Sequence, residues 1–563
     1  MSQAEIFRSQ APAPLPPRPI VIPTPRETVL ANGLKIVVVE DHRLPLVNYR
    51  LAFRVGTAFD PPQLPGLTDL LAGLLPEGTQ SRTSREIADE VARMGANLSA
   101  GANSDYTIVA GSALSQFNTE ILDLMAEVVL QPSFPENEVE LAKQNTKESL
   151  RQQRAQPSFL ASEMVSRVMF GDHPYAIVAP TPESIDRSSR EKFVDFHRTN
   201  FLPNNAVFIV VGDVKHEEIV KKLESLFSTW ERGADLVTDF PAPPVRDKRM
   251  AYLVDRRGSA QSNIVIANSG IVRTSPDYFP MLLMHTVLGA NASSRLFMNL
   301  REEKGYTYGA YTNLDARRTA GTFRATAEVR TPVTGDSLKE FFYELNRIRT
   351  DLVSEKEIRD AKSYLTGVFP IRLETQEGLT DQLVQIKMLN LPDDYLQHYR
   401  DRVQGVTVAE IQRVANKYVK PDEAAVIIVG DGSAVLDQIK PYAPDFEIYS
   451  TSGKRKSLDA PATTDLEGSW SINVETPLGQ SIPATLTLTR EGQGYGAKIL
   501  SEMGDADLGV VQVNDNSFSA TAFLEMDGHS VETELSARFH GDQAEGSLKL
   551  QNSPSLPFTG SKD

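Results

Sequence analysis

The feature that most constrains the fold is a pattern that occurs twice along the chain. Residues 203–213 read PNNAVFIVVGD, and residues 421–431 read PDEAAVIIVGD. The Pro, the Gly and the Asp of the first copy all recur 218 residues later. Since all three residue types interrupt regular structure, their single shared spacing favours a duplicated domain in which each copy holds a buried strand between a Pro and a Gly-Asp turn.

Composition shifts divide the chain further. Residues 236–248 hold three Pro and several charges, residues 451–464 are polar and basic, and both stretches are typical of linkers. The sequence therefore predicts a Pro-rich N-terminal arm (1–25), a first domain (26–235), a linker (236–248), a second domain (249–450), a linker (451–464) and a last domain (465–563).

The first domain mixes strand and helix patterns. Thr83 and Glu86 resemble a capping box, which would begin a helix that ends at Met94 before Gly95. Stretches rich in β-branched residues predict strands over 35–39, 47–55 and 106–113, and helical patterns cover 66–75, 117–130, 137–153 and 183–198. Because strands and helices interleave without a strict βαβ rhythm, we expect a layered α+β domain, built twice.

The last segment has a different pattern. It alternates apolar and polar residues and carries Gly, Asn or Asp turns about every ten residues, which predicts an all-β sandwich or small barrel. It is also acidic, since residues 461–563 hold 15 acidic and 5 basic residues, a net charge of −10. Most of the net charge of −16 of the whole chain lies there.

Charge and residue usage exclude several classes of function. With 74 acidic and 58 basic residues the surface repels phosphate, so nucleic acid is not expected as a partner. The chain has no Cys, which excludes disulfides, thiolate zinc sites, iron–sulfur clusters and cysteine nucleophiles. No stretch approaches the roughly 18 apolar residues of a membrane span, and no secretory signal is visible. We therefore expect a cytoplasmic protein, or a periplasmic one if the true start lies elsewhere.

The eight His residues do not form a metal motif by themselves. No two of them are three or four residues apart, the spacing that places two imidazoles on one helix face. His216 begins half of an HExxH motif, but Val220 stands at the second ligand position, which predicts the start of a surface helix instead. We interpret His173 as a structural loop histidine and the basic run 454–456 as a solvated linker. The residues alone show no complete catalytic constellation.

Five blocks nevertheless resemble the insulinase/pitrilysin metallopeptidase family, in particular its mitochondrial-processing-peptidase-like branch. They are LANGLKIVVVEDHRLPLV (30–47), GLTDLLAGLLPEGT (66–79), GDHPYAIVAPTPESI (171–185), FLPNNAVFIVVGDV (201–214) and SSRLFMNLREEKGYTYGAY (293–311). The resemblance implies two tandem metallopeptidase-like α/β sandwich domains in this chain. It also implies a catalytic unit shaped as a clamshell of two such pairs.

One block departs from the family pattern. The family carries His-x-x-Glu-His in the block at 66–79, and the resemblance places those three residues at Asp69, Ala72 and Gly73. The family's third zinc ligand falls on Glu148, and its usual acidic neighbour falls on Leu141. Catalytic zinc needs three protein ligands and an open position for water. We therefore expect no metal and no other cofactor in this chain.

Another block keeps the family pattern. Family members carry an Arg and a Tyr seven residues apart that hold the substrate backbone and the tetrahedral intermediate, and Arg301 and Tyr308 keep this spacing. Arg offers a fixed charge with several donors, and Tyr adds a hydroxyl donor. Gly305 and Gly309 fit a turn and a strand edge to which an extended peptide could add.

Three functions follow from this combination. The first is the non-catalytic subunit of a heteromeric zinc metallopeptidase, inactive alone, which supplies Arg301 and Tyr308 to the zinc site of a homologous HxxEH-bearing partner for peptide hydrolysis. The second is a peptide-binding or scaffold protein of the same fold. The third is a peptidase with an unconventional metal site, in which Asp69 and Glu148 hold a hard cation such as Mg²⁺.

Overall fold

The computed structural model describes residues 21–456, 466–476, 481–491, 494–501, 504–511, 513, 517–526, 529–550 and 554–562. The chain divides into two compact units at Lys456. Most of the predicted N-terminal arm and of the second predicted linker lies outside the described residues.

The first unit contains two sheets. The first sheet has the order β1-β2-β6-β3-β5-β4, in which only β2 and β6 run parallel. Its strands are β1 (Arg26–Val29), β2 (Lys35–Glu40), β3 (Leu46–Phe53), β4 (Asn97–Ala102), β5 (Thr107–Leu114) and β6 (Ala206–Gly212).

The second sheet has the order β13-β12-β7-β11-β8-β10-β9. Its strands are β7 (Met250–Asp255), β8 (Gln261–Ser269), β9 (Thr307–Ala316), β10 (Gly321–Arg330), β11 (Ala425–Gly430), β12 (Phe446–Tyr449) and β13 (Arg455–Lys456).

The two sheets repeat one topology. The strands β2-β6-β3-β5-β4 correspond to β7-β11-β8-β10-β9, and in each series only the first pair is parallel. The register matches as well, because Glu40 lies opposite Gly212 and Asp255 lies opposite Gly430. The predicted duplicated α+β domain is therefore confirmed, and both strands of the repeated pattern are fully buried.

Eight helices belong to the first half of this unit. They are α1 (Leu67–Leu74), α2 (Ser84–Met94), α3 (Asn118–Leu130), α4 (Glu136–Arg154), α5 (Pro157–Phe170), α6 (Pro182–Arg187), α7 (Arg190–Asn200) and α8 (His216–Phe227). The Thr83 capping box and the left-handed Gly95 are present as predicted. One prediction is wrong: the helix over 183–198 breaks, because Ser188 leaves helical geometry and its hydroxyl donates to the carbonyl of Ser184.

The second half carries the corresponding helices. They are α9 (Tyr278–Gly289), α10 (Arg295–Phe297), α11 (Thr334–Thr350), α12 (Glu355–Leu373), α13 (Gln376–Met388), α14 (Tyr395–Gly405), α15 (Val408–Tyr418) and α16 (Gly432–Ile439). The short α10 continues directly as a π-helix, Met298–Glu303.

The two halves exchange one helix each. Helix α5 packs on β8 and β11 of the second sheet, and α13 packs on β3 and β6 of the first sheet. As a result, Leu383 of α13 belongs to the same buried cluster as Val207 and Ile209 of the first sheet. Each buried side chain of this size contributes about 1.5–3 kcal/mol, so the exchange joins the halves into one unit.

Polar contacts fix the same interface. Arg50 of β3 is buried and donates to Asp381 of α13 at 3.1 Å. The turns after the edge strands β4 and β9 also meet, since the N–H of Arg318 donates to Asp105 Oδ2 at 3.1 Å. The hydroxyl of Tyr175 donates to the other oxygen of that carboxylate. The two edge hairpins are therefore pinned to each other at their turns.

Three local predictions can be compared with the structure. His173 is buried in a loop, and its Nδ1 accepts the backbone N–H of Tyr175 at 3.1 Å, in keeping with a structural role. His216 begins α8 as predicted but is buried and not on the surface, because its Nε2 lies 3.3 Å from Thr28 Oγ1. Within the predicted solvated run, residues 455–456 are exposed but form strand β13.

The described residues of the second unit form a single sheet of eight strands. The order is β17-β16-β15-β14-β21-β20-β19-β18, and the end strands β17 and β18 lie against each other, so the sheet is a nearly closed barrel. Its strands are β14 (Gly468–Glu475), β15 (Ser481–Glu491), β16 (Gly494–Ser501), β17 (Gly504–Val511), β18 (Ser517–Met526), β19 (His529–His540), β20 (Gln543–Leu550) and β21 (Leu556–Lys562). Trp470 fills its core against Phe539, which confirms the predicted all-β domain.

The part of the chain that the structure describes contains no helix long and apolar enough to cross a membrane.

The helix exchange predicts that damage to one half unfolds the other. Leu383→Ala should lower the free energy of unfolding of the first unit by about 2–5 kcal/mol, because it opens a cavity between α13 and the first sheet. The chain has two Trp residues, so Trp230 alone reports on the first half in a Trp470→Phe background. Urea titration followed by Trp230 fluorescence measures the shift.

Leu486→Ala is the matched control, because Leu486 is fully buried in the barrel and belongs to the other unit. It should leave the Trp230 transition unchanged. An unchanged Trp230 transition in Leu383→Ala would show that the two halves unfold separately.

Candidate functional site

The start of helix α1 is tightly fixed. Gly66 precedes it with φ +89°, and a Cβ there would lie 2.7 Å from Cβ of Pro180. The carboxylate of Asp60 accepts the N–H of Gly66 at 2.7 Å and the N–H of Thr68 at 2.9 Å. These bonds satisfy backbone donors that a helix leaves free at its N-terminus. Helix α1 therefore forms although it lacks the His-x-x-Glu-His residues of the family.

The three motif positions differ in their surroundings. Asp69 and Gly73 are exposed and lie one helical turn apart on the same face, whereas Ala72 is fully buried. A Cβ on Gly73 would meet no heavy atom within 4 Å. The open face of α1 therefore has room for side chains at both ligand positions, but it carries only one carboxylate.

The carboxylate of Asp69 lies on a concave surface. Although the residue is exposed, partial burial by the surrounding protein raises the pKa of Asp69, and a hydrogen bond from the N–H of Ala102 opposes that rise. Ala102 is the last residue of the edge strand β4. Asp69 thus stands beside the free edge of the first sheet.

Glu148 does not act together with Asp69 in this structure. Helices α1 and α4 pack against each other. The carboxylate of Glu148, however, accepts hydrogen bonds from its own helix, from Arg151 Nη1 at 2.9 Å and from Gln152 Nε2 at 3.3 Å. Leu141, seven residues earlier on the same helix, is an exposed apolar residue. Over the described residues no group of three or more His, Asp or Glu could hold a metal ion. The residues at the zinc-motif positions therefore do not fit zinc.

Arg301 lies in the π-helix that precedes strand β9. Its guanidinium carbon is 4.8 Å from the ring centroid of Phe297, and its Nε is 3.6 Å from Glu302. The turn that follows is closed by Gly305, whose φ is +64° and whose N–H donates to the carbonyl of Arg301 at 3.1 Å. Gly305 therefore occupies the turn that the sequence predicts.

Tyr308 projects from the edge strand β9. The pairing of β9 with β10 shifts by one residue here, and Thr307 Oγ1 donates to the carbonyl of Glu328 at 2.6 Å. The shift leaves Tyr308 pointing away from the sheet, with 90% of its surface exposed. The structure places Arg301 and Tyr308 on either side of one tight turn, both accessible to another molecule.

Two aromatic residues of this site were not predicted from the sequence. Tyr311 packs on Phe297 with ring centroids 5.6 Å apart, and it is 43% exposed. Its ring passes so close to Gly309 that a Cβ there would lie 2.5 Å from Cε2 of Tyr311. The only signals in the sequence are the third Tyr of GYTYGAY and the placement of Phe297 four residues before Arg301.

The two motif segments lie in the corresponding connection of each half, at different positions within it. Helix α1 lies between β3 and the edge strand β4, and the π-helix lies between β8 and the edge strand β9. No hydrogen bond or ion pair between described residues joins the two segments. Each half therefore presents its own motif beside its own free sheet edge.

Comparison with known proteins agrees with this doubled fold. Residues 35–182 match the profile "Insulinase (Peptidase family M16)", and residues 187–365 match "Peptidase M16 inactive domain". An uncharacterized zinc protease of Mycobacterium leprae is 24% identical over 71% of this chain and 91% of its own length. A "non-peptidase homolog" of Helicobacter pylori is 22% identical over 71% of this chain and 93% of its own.

A solved structure has the same fold. The peptidase M16 inactive domain of Pseudomonas fluorescens superimposes with a TM-score of 0.68 and 26% identity, over 72% of this chain and 98% of its own. The two profiles together cover more than half of the chain, so the protein belongs to the insulinase family, peptidase family M16. At the positions that the resemblance assigns to the zinc motif, Ala72 offers no base and Gly73 offers no ligand.

The geometry of α1 predicts that zinc binding can be engineered with two substitutions. The double variant Asp69→His/Gly73→His should bind zinc, because both new imidazoles would lie on one open helix face. Isothermal titration with zinc measures the affinity. The single variants are the controls and should bind more weakly, and equal affinity in all three would show that the two positions do not face one ion.

Proposed function

We propose that this chain is the non-catalytic subunit of a heteromeric zinc metallopeptidase. In this proposal Arg301 and Tyr308 complete the active site of a homologous partner that carries an intact His-x-x-Glu-His. The observation that carries the proposal is the exposure of Tyr308 on the edge strand β9, where 90% of its surface is accessible. Arg301, on the other side of the turn, is exposed as well. A large side chain kept free in this way is available to a second molecule.

The two side chains suit the binding of a peptide carbonyl. The guanidinium of Arg301 brings a permanent charge and several N–H donors, and Tyr308 brings a hydroxyl donor. Donors fixed around the place where an oxyanion forms stabilise the transition state of acyl transfer. Arg301 and Tyr308 would therefore hold the scissile carbonyl and the charge that develops on it.

The free edge of β9 supplies a place for the rest of the substrate. Among the described strands β9 pairs with β10 only, so its outer backbone groups can bond to an extended peptide. Peptides are therefore the substrate class that we propose. The partner would bring zinc and its activated water, since the α1 positions of this chain provide neither a complete ligand set nor a base.

One observation favours a second function. A relative that matches over 93% of its own length carries the name "non-peptidase homolog", which suits a peptide-binding or scaffold protein that takes no part in hydrolysis. The same exposed Arg301 and Tyr308 would then bind a peptide without cleaving it. The two functions differ in whether these side chains change a reaction rate.

The proposal predicts activity only in a mixture. The purified chain should not cleave an unstructured test peptide, and mixing with an HxxEH-bearing homologue from the same organism should raise zinc-dependent cleavage above that of the homologue alone. A fluorescence-quenched peptide assay measures both rates. Zinc-dependent cleavage by this chain alone would refute the proposal.

Within such a mixture, Arg301→Ala should lower kcat/KM by about 10²–10³-fold, the effect of losing one oxyanion donor. Size-exclusion chromatography should show unchanged assembly. Arg198→Ala is the matched control, because Arg198 is an exposed Arg of α7 whose partner, Asp195, lies on its own helix. If Arg301→Ala and Tyr308→Phe both leave the rate unchanged while assembly persists, the scaffold function is the better one.

A further inference from the structure

The π-helix that carries Arg301 has an unusual geometry that something must maintain. In this segment the N–H of Lys304 donates to the carbonyl of Asn299 at 3.0 Å, five residues back, and the N–H of Tyr306 reaches Leu300 at 2.9 Å. Such wide turns are rare and less favourable than α-helical ones. A return to α geometry would turn the residues of the segment around its axis by up to about 100°. Arg301 would then point elsewhere relative to Tyr308.

Asn299 is the buried polar residue of this segment. Its side chain is buried, and its Nδ2 donates to Glu344 Oε1 at 3.0 Å and to Glu340 Oε2 at 3.1 Å. Both acceptors belong to α11, and the side chain of Glu344 is only 2% exposed. One amide therefore uses both of its hydrogens on two carboxylates, which are strong charge-assisted bonds. The orientation of the amide is fixed, because a flipped oxygen would face two negative charges.

The same helix also holds the other end of the segment. Glu340 lies 4.0 Å from Lys304, the residue that ends the π-helix. The α10 segment just before it is anchored separately, since Arg295 donates to Glu357 of α12 at 2.6 and 3.1 Å. Hydrogen bonds and ion pairs thus fix the π-helix before, within and after its wide turn.

Packing alone does not fix this segment. Asn299, Lys304, Glu340 and Glu344 border an open cleft of about 770 Å³, so the side of the segment that faces α11 is not closely packed. The side-chain oxygen Oδ1 of Asn299 has no hydrogen-bond partner among the described residues, so the two carboxylates are what its side chain binds. Without these bonds the wide turn would lose its main support on the side of α11.

We propose that Asn299 is a positioning residue: its amide, held between Glu340 and Glu344, maintains the wide turn that aims Arg301 at the same space as Tyr308. The part of this proposal that concerns activity rests on the proposed function. The part that concerns geometry does not, since it involves this chain only.

Two readouts test the proposal on the full chain. Hydrogen–deuterium exchange of the peptide that spans residues 298–311 reports on the bonds that close the turn, because the amides of Lys304, Gly305 and Tyr306 donate them. The mixed peptidase assay reports on the direction of Arg301. Asn299→Leu should accelerate exchange in this peptide and lower kcat about 10²-fold with little change in KM, the cost of misplacing a catalytic group by about 1 Å.

A charge swap separates positioning from folding. Asn299→Asp alone places a third carboxylate beside Glu340 and Glu344 and should be worse than Asn299→Leu. The double variant Asn299→Asp/Glu344→Gln restores one of the two amide–carboxylate bonds with the partners exchanged, and should regain part of the exchange protection and of kcat relative to Asn299→Asp. Asn346→Leu is the matched control, because Asn346 lies on α11 but donates to Phe342 of the same helix.

Each outcome decides the proposal. Unchanged exchange over 298–311 in Asn299→Leu would overturn the geometric role, and faster exchange with unchanged kcat would overturn the positioning role. Failure of the charge swap to recover either readout would also count against it. If the wild-type mixture shows no peptidase activity at all, the proposed function fails. The geometric role is then decided by hydrogen exchange alone, from its acceleration in Asn299→Leu and its recovery in the charge swap.

Discussion

The exchange of α5 and α13 between the two sheets is the interaction on which the rest of the structure depends. Each sheet of a duplicated α+β domain has an apolar face that must be buried. In this chain α13 of the second half covers the first sheet, and α5 of the first half covers the second. Neither half has a complete core without the other. The edge strands β4 and β9 are therefore held in one fixed relation, which the contact between Arg318 and Asp105 reinforces at the hairpin turns.

This arrangement explains how one copy could lose a metal motif without losing its fold. The inner face of α1 is made of buried side chains such as Leu70, Leu71 and Leu74, which pack in the hydrophobic core of the first half. Asp69 and Gly73 lie on the outer face and take no part in that core. The helix can therefore keep its place in the core whatever residues stand at positions 69 and 73. The family fold therefore does not indicate activity by itself.

The sequence predicted the doubled domain, the barrel and most helices of the first half, because these depend on local patterns and on one repeated spacing. Strand β4 was not predicted, because its sequence NLSAGA lacks the β-branched residues that are typical of strands. It becomes a strand by pairing with β5. The break after Ser188 depends on a side-chain bond to Ser184 that periodicity does not reveal. The helix exchange was also beyond the sequence, because the apolar pattern of a helix shows that a face is buried but not which sheet covers it.

The same distinction applies to the candidate site. Arg301 and Tyr308 could be located from a resemblance because they are only seven residues apart. The side chain of Asn299, in contrast, is held by Glu340 and Glu344, which are more than forty residues away in the sequence. A local motif names the groups that touch a substrate, but the direction in which they point is set by contacts between distant segments. Under the proposed function, the direction of Arg301 is what these distant contacts would control. A subunit that contributes two side chains to another protein's chemistry affects the rate only through where those side chains lie.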